Sequence, residues 1–104
     1  MKEISPILFF KLYQKTSNLR IIDVREPYDY EQYHLIYSYN VPASLLYDKY
    51  YLFLNKRNIY YIICKNGEIS KKVTAFLDSH GYNVVNVIGG LDCWVGSYHL
   101  KTNY

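Results

Sequence analysis

A chain of 104 residues has room for one hydrophobic core and is too short for two, so a single domain over residues 1–104 is expected. Half the residues are hydrophobic and a fifth charged, which excludes a disordered chain; the net charge of +3 comes from scattered lysines, without the basic stripe that nucleic-acid binding requires. Two cysteines make no disulfide framework, Met1-Lys2-Glu3 leads into no signal-like run, and no stretch reaches membrane-spanning length, so a cytoplasmic protein with neither membrane nor nucleic-acid partners is expected.

In chain order, Ile4-Ser5-Pro6 predicts a helix start, with Ser5 as cap, Pro6 at the first helical position and Ile4 as a staple. Leu8, Phe9 and Leu12 give that helix an apolar face up to about Lys15. Arg20 to Val24 reads as a strand running into the polar cluster Asp23-Val24-Arg25-Glu26-Pro27, and a short helix follows from Pro27 to about Tyr33. Tyr39-Asn40-Val41 reads as a short strand closed by Pro42. Ala43 to Leu54 has helical spacing at Leu45, Leu46, Tyr50 and Phe53. Ile59 to Ile63 is continuously apolar, as in a strand buried on both faces. Ile69, Val73, Phe76, Leu77 and His80 line one face of the next helix, which Gly81 ends. Val84 to Ile88 is another buried strand, broken by Gly89-Gly90. Strands alternating with helices predict an α/β fold with a central parallel sheet of about five strands and helices on both faces. Fourteen tyrosines, nine lysines against three arginines and two alanines read as drift toward AT-rich codons more than as chemistry.

Chemistry in such a sheet gathers at the carboxyl ends of the strands, where Asp23, Cys64 and Gly89 fall. Cys64-Lys65-Asn66-Gly67-Glu68-Ile69-Ser70 carries the strongest signal, because it places a thiol between the end of a buried strand and the start of a helix. Inward-pointing loop amides and the positive end of the helix favour a thiolate there, and a thiolate is a nucleophile. Ser70 is expected to cap the helix and to support the loop by its hydroxyl or its N–H, and Lys65, Lys71 and Lys72 to add a positive field that attracts an anionic donor.

Several segments occur together in one order: Ile22-Asp23-Val24-Arg25-Glu26-Pro27, His34, Asn40-Val41-Pro42, Cys64-Lys65-Asn66-Gly67 with Ser70, Gly81, and Gly89-Gly90-Leu91-Asp92-Cys93-Trp94. Over nearly its whole length the chain resembles a single-domain rhodanese-like sulfurtransferase. The resemblance implies an enzyme of the thiosulfate sulfurtransferase class that needs no cofactor. In that chemistry Cys64 takes the outer sulfur of a small anionic donor, thiosulfate or a persulfide or polysulfide, as a persulfide. A thiol or cyanide acceptor then removes it in a ping-pong cycle. Lys65, Asn66, Gly67, Glu68, Ile69 and Ser70 would form the substrate-binding loop, with Asp23 and Arg25 behind it, as a turn-capping pair or orienting the loop. The resemblance departs at Ile69, where many members carry an oxyanion-gripping arginine. It departs again at Tyr33-His34-Leu35-Ile36-Tyr37-Ser38, where two family glycines are tyrosines and a locally rebuilt turn is expected.

His34 is expected to pack and hydrogen-bond rather than act as a base, since a stabilised thiolate needs none. Cys93 is expected to be a small buried hydrophobe, the alternative being a thiol that resolves the persulfide; Trp94 is expected in the core or on a pocket wall. His34, His80, His99 and the cysteines have no metal-ligand spacing, so no metal is expected. A cysteine phosphatase or arsenate reductase would need an arginine six positions after the cysteine, and Ser70 stands there. The remaining alternative is a sulfur relay or interaction domain that docks with a protein donor or acceptor without turning over small donors.

Overall fold

The structure is a computed structural model that describes residues 1–100, with the backbone alone for His99 and Leu100. The expectation that His99 takes no part in a metal site therefore concerns a side chain outside those described. Five strands form a wholly parallel sheet in the order β1-β6-β5-β2-β4: β1 Lys2–Ile4, β2 Ile21–Asp23, β4 Ser38–Asn40, β5 Ile59–Ile63 and β6 Asn83–Val87. A two-stranded antiparallel ribbon, β3 Tyr33–His34 with β7 His99–Leu100, stands apart from it. The helices are α1 Pro6–Lys15, α2 Pro27–Gln32, α3 Ala43–Phe53 and α4 Glu68–Ser79, and a 3₁₀ turn follows at Gly90–Cys93.

Parallel strands need crossovers, and these crossovers cover both faces of the sheet. On one face Ile22, Val24, Leu46, Ile62, Val73 and Leu77 form a core under α3 and α4. On the other, Phe9 of α1 packs with Ile21, Leu35, Ile63, Val87 and Leu91. The strand alternation is visible in the pairs Ile21/Ile22 and Ile62/Ile63, whose members enter opposite cores. Each of these fully buried side chains contributes about 1.5–3 kcal/mol.

Several expectations need correction. Lys2–Ile4 forms a strand that was not expected, β1, which pairs through Ile4 with Val87, and the Ile4 side chain packs against the core cluster that holds Phe9, the fourth residue of α1. Three residues with one apolar side chain carry no periodicity to announce a strand. Ser5 does cap α1, its hydroxyl accepting the Leu8 N–H at 3.3 Å, and Pro6 stands in the first turn. Leu8 is exposed; Phe9 is the buried residue of α1. In α3 the backbone kinks at Lys49 (φ −135°, ψ 33°). Leu46 within the helix and Leu54 just after it are buried, while Leu45 and Phe53 are exposed. In α4 the buried positions are Ser70, Val73, Thr74 and Leu77, a regular i, i+3, i+4, i+7 face, whereas Ile69 and His80 face outward. Two hydroxyl residues on the inner face moved the apparent apolar stripe by one position. Gly81 ends α4 in a Schellman motif, with Tyr82 N–H donating to Leu77 O at 3.1 Å and Gly81 N–H to Asp78 O at 3.0 Å.

Candidate active site

All five sheet strands run the same way, so their carboxyl ends meet at one edge, and Cys64 leaves that edge from β5, the central strand. The Cys64 loop is held from outside by the segment after β6. Leu91 N–H donates to Cys64 O at 2.9 Å and Asp92 N–H to Lys65 O at 2.8 Å. Gly90 makes this seat fit. Its φ is +55°, and a Cβ there would run into Cys64 O and stand 2.8 Å from Lys65 O. Gly67, at φ +91°, turns the loop into α4, and a Cβ there would stand 2.8 Å from Gly89 N.

That turn aims two amides at the sulfur. Gly67 N–H and Ser70 N–H donate to Cys64 Sγ at 3.2 and 3.3 Å, an arrangement that stabilises negative charge on sulfur at a helix start. Of the loop amides expected from Lys65 to Ser70, these two reach the thiol. The Cys64 thiol donates to Ser70 Oγ at 3.2 Å. Ser70 is not the helix cap: Gly67 occupies that place, and the Ser70 hydroxyl points inward, donating to Asn86 Oδ1 at 2.6 Å. Asn86 Nδ2 in turn donates to Glu3 Oε2 at 2.9 Å. Asn66 serves the loop itself, its Oδ1 accepting the Glu68 N–H at 3.1 Å.

Cys64 is 2% exposed and lies against a cavity of about 420 Å³. Lys65, Asn66 and Ile69 of the loop also line it, together with Arg25, Glu26, Asp29 and Tyr33. Asp23 and Arg25 are buried and bidentate: Nε donates to Oδ1 at 3.0 Å and Nη2 to Oδ2 at 2.9 Å. Arg25 Nη2 also donates to Tyr33 O at 2.7 Å, and the guanidinium lies 4.9 Å from the centre of the Tyr33 ring. Lys65 pairs with Asp92, Nζ donating to Oδ1 at 2.9 Å, and the hydrogen bond and charge of that carboxylate hold the ammonium pKa above its ordinary value. Lys71 and Lys72 are exposed on α4 and do not line the cavity.

The remaining candidates stand away from the sulfur. His34 stacks on Tyr30 at 3.8 Å, and its Nδ1 donates to Tyr30 O at 2.7 Å, outside the cavity lining. Cys93 is exposed, contrary to the expected buried hydrophobe, because the 3₁₀ turn carries it outward beside Gly89 while Leu91 fills the core. Trp94 packs against Phe9, Phe10 and Tyr13 of α1 and does not line the cavity. In the Tyr33–Ser38 turn Tyr37 adopts the left-handed conformation, at φ +70°. Among the described residues no group of three or more His, Cys, Asp or Glu could hold a metal ion, and no helix is long and apolar enough to cross a membrane.

Three residues of this site were not singled out from sequence. Asn86 anchors Ser70 from inside β6, and its only signal was a polar residue within Asn83-Val84-Val85-Asn86-Val87. Glu26 and Asp29 line the cavity; Glu26 falls in the polar cluster after β2, but neither carboxylate was given a role from the sequence.

The rhodanese-like domain family matches residues 10–97. A crystal structure of a rhodanese-like domain protein from Staphylococcus aureus superposes with a TM-score of 0.87 at 29% identity, covering 98% of this chain and all of that one. The Bacillus subtilis protein named "Putative sulfurtransferase YtwF" is 30% identical over 101 residues, 97% of each chain. Adenylyltransferase and sulfurtransferase uba4 of Ogataea parapolymorpha is 39% identical over 75 residues, 71% of this chain, which thus spans only 19% of that protein. The chain belongs to the rhodanese-like domain family.

Proposed function

We propose that the protein is a sulfurtransferase that carries sulfane sulfur on Cys64. The Cys64 thiolate attacks the outer sulfur of a donor and forms a new S–S bond; the donor's old bond to that sulfur breaks, and its remainder (sulfite from thiosulfate, a thiol from a persulfide) leaves with the electron pair. A thiol or cyanide then attacks the outer sulfur of the Cys64 persulfide and returns the thiolate. Electrons balance over the cycle, and no cofactor is needed. The observation that carries this reading is the thiol at the floor of an open cavity with Gly67 N–H and Ser70 N–H directed at its sulfur. Those donors suit the thiolate and the persulfide alike. Lys65, Asn66 and Ile69 of the loop wall the cavity around the arriving sulfur, and Arg25, held by Asp23, stands in the same lining.

Incubation with thiosulfate or polysulfide followed by intact-mass measurement tests this. One added sulfur that cyanide strips off, absent from Cys64→Ser, is expected; an unchanged mass with every donor overturns it. A second reading, a relay that accepts sulfur from one protein and passes it to another, is favoured by the uba4 match, in which the similar segment is a small part of a longer chain. A relay loads a persulfide yet shows no multiple turnover with small acceptors, so steady-state rates separate the two.

A further inference from the structure

The charges around the cavity are arranged against a small dianion. Arg25 lines it, but Asp23, fully buried, engages both Nε and Nη2, so the pair brings hydrogen-bond donors and no net charge. Lys65 also lines it, and its ammonium is tied to Asp92. Glu26 and Asp29, by contrast, line the cavity as exposed carboxylates, and neither side chain has a hydrogen bond or ion pair among the described residues. Counting these six groups, two cations face four carboxylates. The wall beside the thiol is apolar, made by Val24, Ala43 and an Ile69 that is 55% exposed. A sulfonate seated here would find no uncommitted cation and two uncommitted anions within the same recess, where low-dielectric walls focus the field.

Resting on the Cys64 persulfide reading, we infer that the donor for this site is a persulfide borne by an uncharged or positively charged organic thiol, not thiosulfate, and that Glu26 and Asp29 set this preference. In the transfer, Cys64 sulfur bonds to the outer sulfur of R–S–S–H, the old S–S bond breaks, and R–S⁻ leaves with the electron pair and takes up a proton. Ile69 and Ala43 receive the organic group R. A positive charge on R lies toward Glu26 and Asp29, which stand on and just before α2 across the cavity from the Cys64 loop.

Three probes separate charge from reactivity: cysteamine persulfide, whose R carries an ammonium; 3-mercaptopropionate persulfide, whose R carries a carboxylate; and thiosulfate. The rate at which each places one sulfur on Cys64 is followed by mass, in wild type and in the Glu26→Gln/Asp29→Asn double variant. Since intrinsic reactivities differ, ratios are read. The wild type is expected to favour the cationic over the anionic persulfide by about tenfold at low ionic strength, and added salt narrows that gap. The double variant is expected to shrink the ratio to about twofold and to raise the thiosulfate rate severalfold. Equal wild-type rates for the two persulfides, or ratios that the double variant leaves unchanged, overturn the inference while the Cys64 reading stands. Failure of all three probes to load Cys64 overturns both.

Discussion

Ser70 has one hydroxyl proton and two neighbours that bear on it. In the structure the proton goes to Asn86 Oδ1 at 2.6 Å, so the oxygen presents a lone pair to the thiol at 3.2 Å. Asn86 therefore fixes the Ser70 rotamer, and through it the position of the sulfur. Asn86→Leu keeps the branched shape and heavy-atom count of the side chain, though not its volume, and removes the acceptor, leaving the buried Ser70 hydroxyl short of a partner. A loss of about 1–3 kcal/mol in urea unfolding is expected. Ser70→Ala should lose a similar amount, and the double variant less than the sum, since the two side chains share one bond. Strict additivity would show that they act independently. Tyr37 is a different residue-scale case: at φ +70° it holds a left-handed backbone whose strain exceeds the entropy that glycine adds to the unfolded chain. Tyr37→Gly should stabilise by roughly 1 kcal/mol, seen as a rise in Tm of about 4–8 °C, while a fall would mean that contacts of the Tyr37 ring outweigh the strain. At this scale the sequence was informative where chemistry and place coincide. A thiol at the end of an apolar run marks itself, as Cys64 does. Asn86 and Glu26 look ordinary until the fold brings them beside the loop.

The elements that build the site are β5, the start of α4 and the turn after β6, and the join between them is backbone to backbone. Leu91 N–H and Asp92 N–H hold the carbonyls of Cys64 and Lys65, and Gly90 is seated directly on that loop. Gly90→Ala must push the two segments apart and also strain a positive φ. We expect more than about 2 kcal/mol of destabilisation and at least a tenfold fall in sulfur loading at Cys64, measured on protein kept below its lowered Tm. Unchanged loading would show that the turn after β6 does not position the loop. The long apolar strands β5 and β6 and the capped helices α1 and α4 were legible in sequence because their periodicity is strong. β1, β3 and β7 were not, being two or three residues long and formed only because a partner edge is present. The kink in α3 at Lys49 and the inward Ser70 and Thr74 of α4 were hidden for another reason: tertiary packing, not side-chain polarity, chose which positions are buried.

Over the whole molecule, the parallel sheet gathers the ends of β2, β5 and β6 at one edge and leaves a cavity there, with the thiol at its floor. The order β1-β6-β5-β2-β4 puts the cysteine on the central strand, where neighbours on both sides fix the backbone that presents it. It also places the second cysteine, Cys93, at the surface of the same region, as an exposed thiol that a sulfur donor can reach. We expect the sulfur to be carried by the amide-held buried thiol and not by the exposed one. Peptide mapping after sulfur loading decides between them. Wild type and Cys93→Ser should carry one cyanide-labile sulfur on the peptide containing Cys64, and Cys64→Ser none. Sulfur found on the Cys93 peptide, or retained in full by Cys64→Ser, would contradict the account.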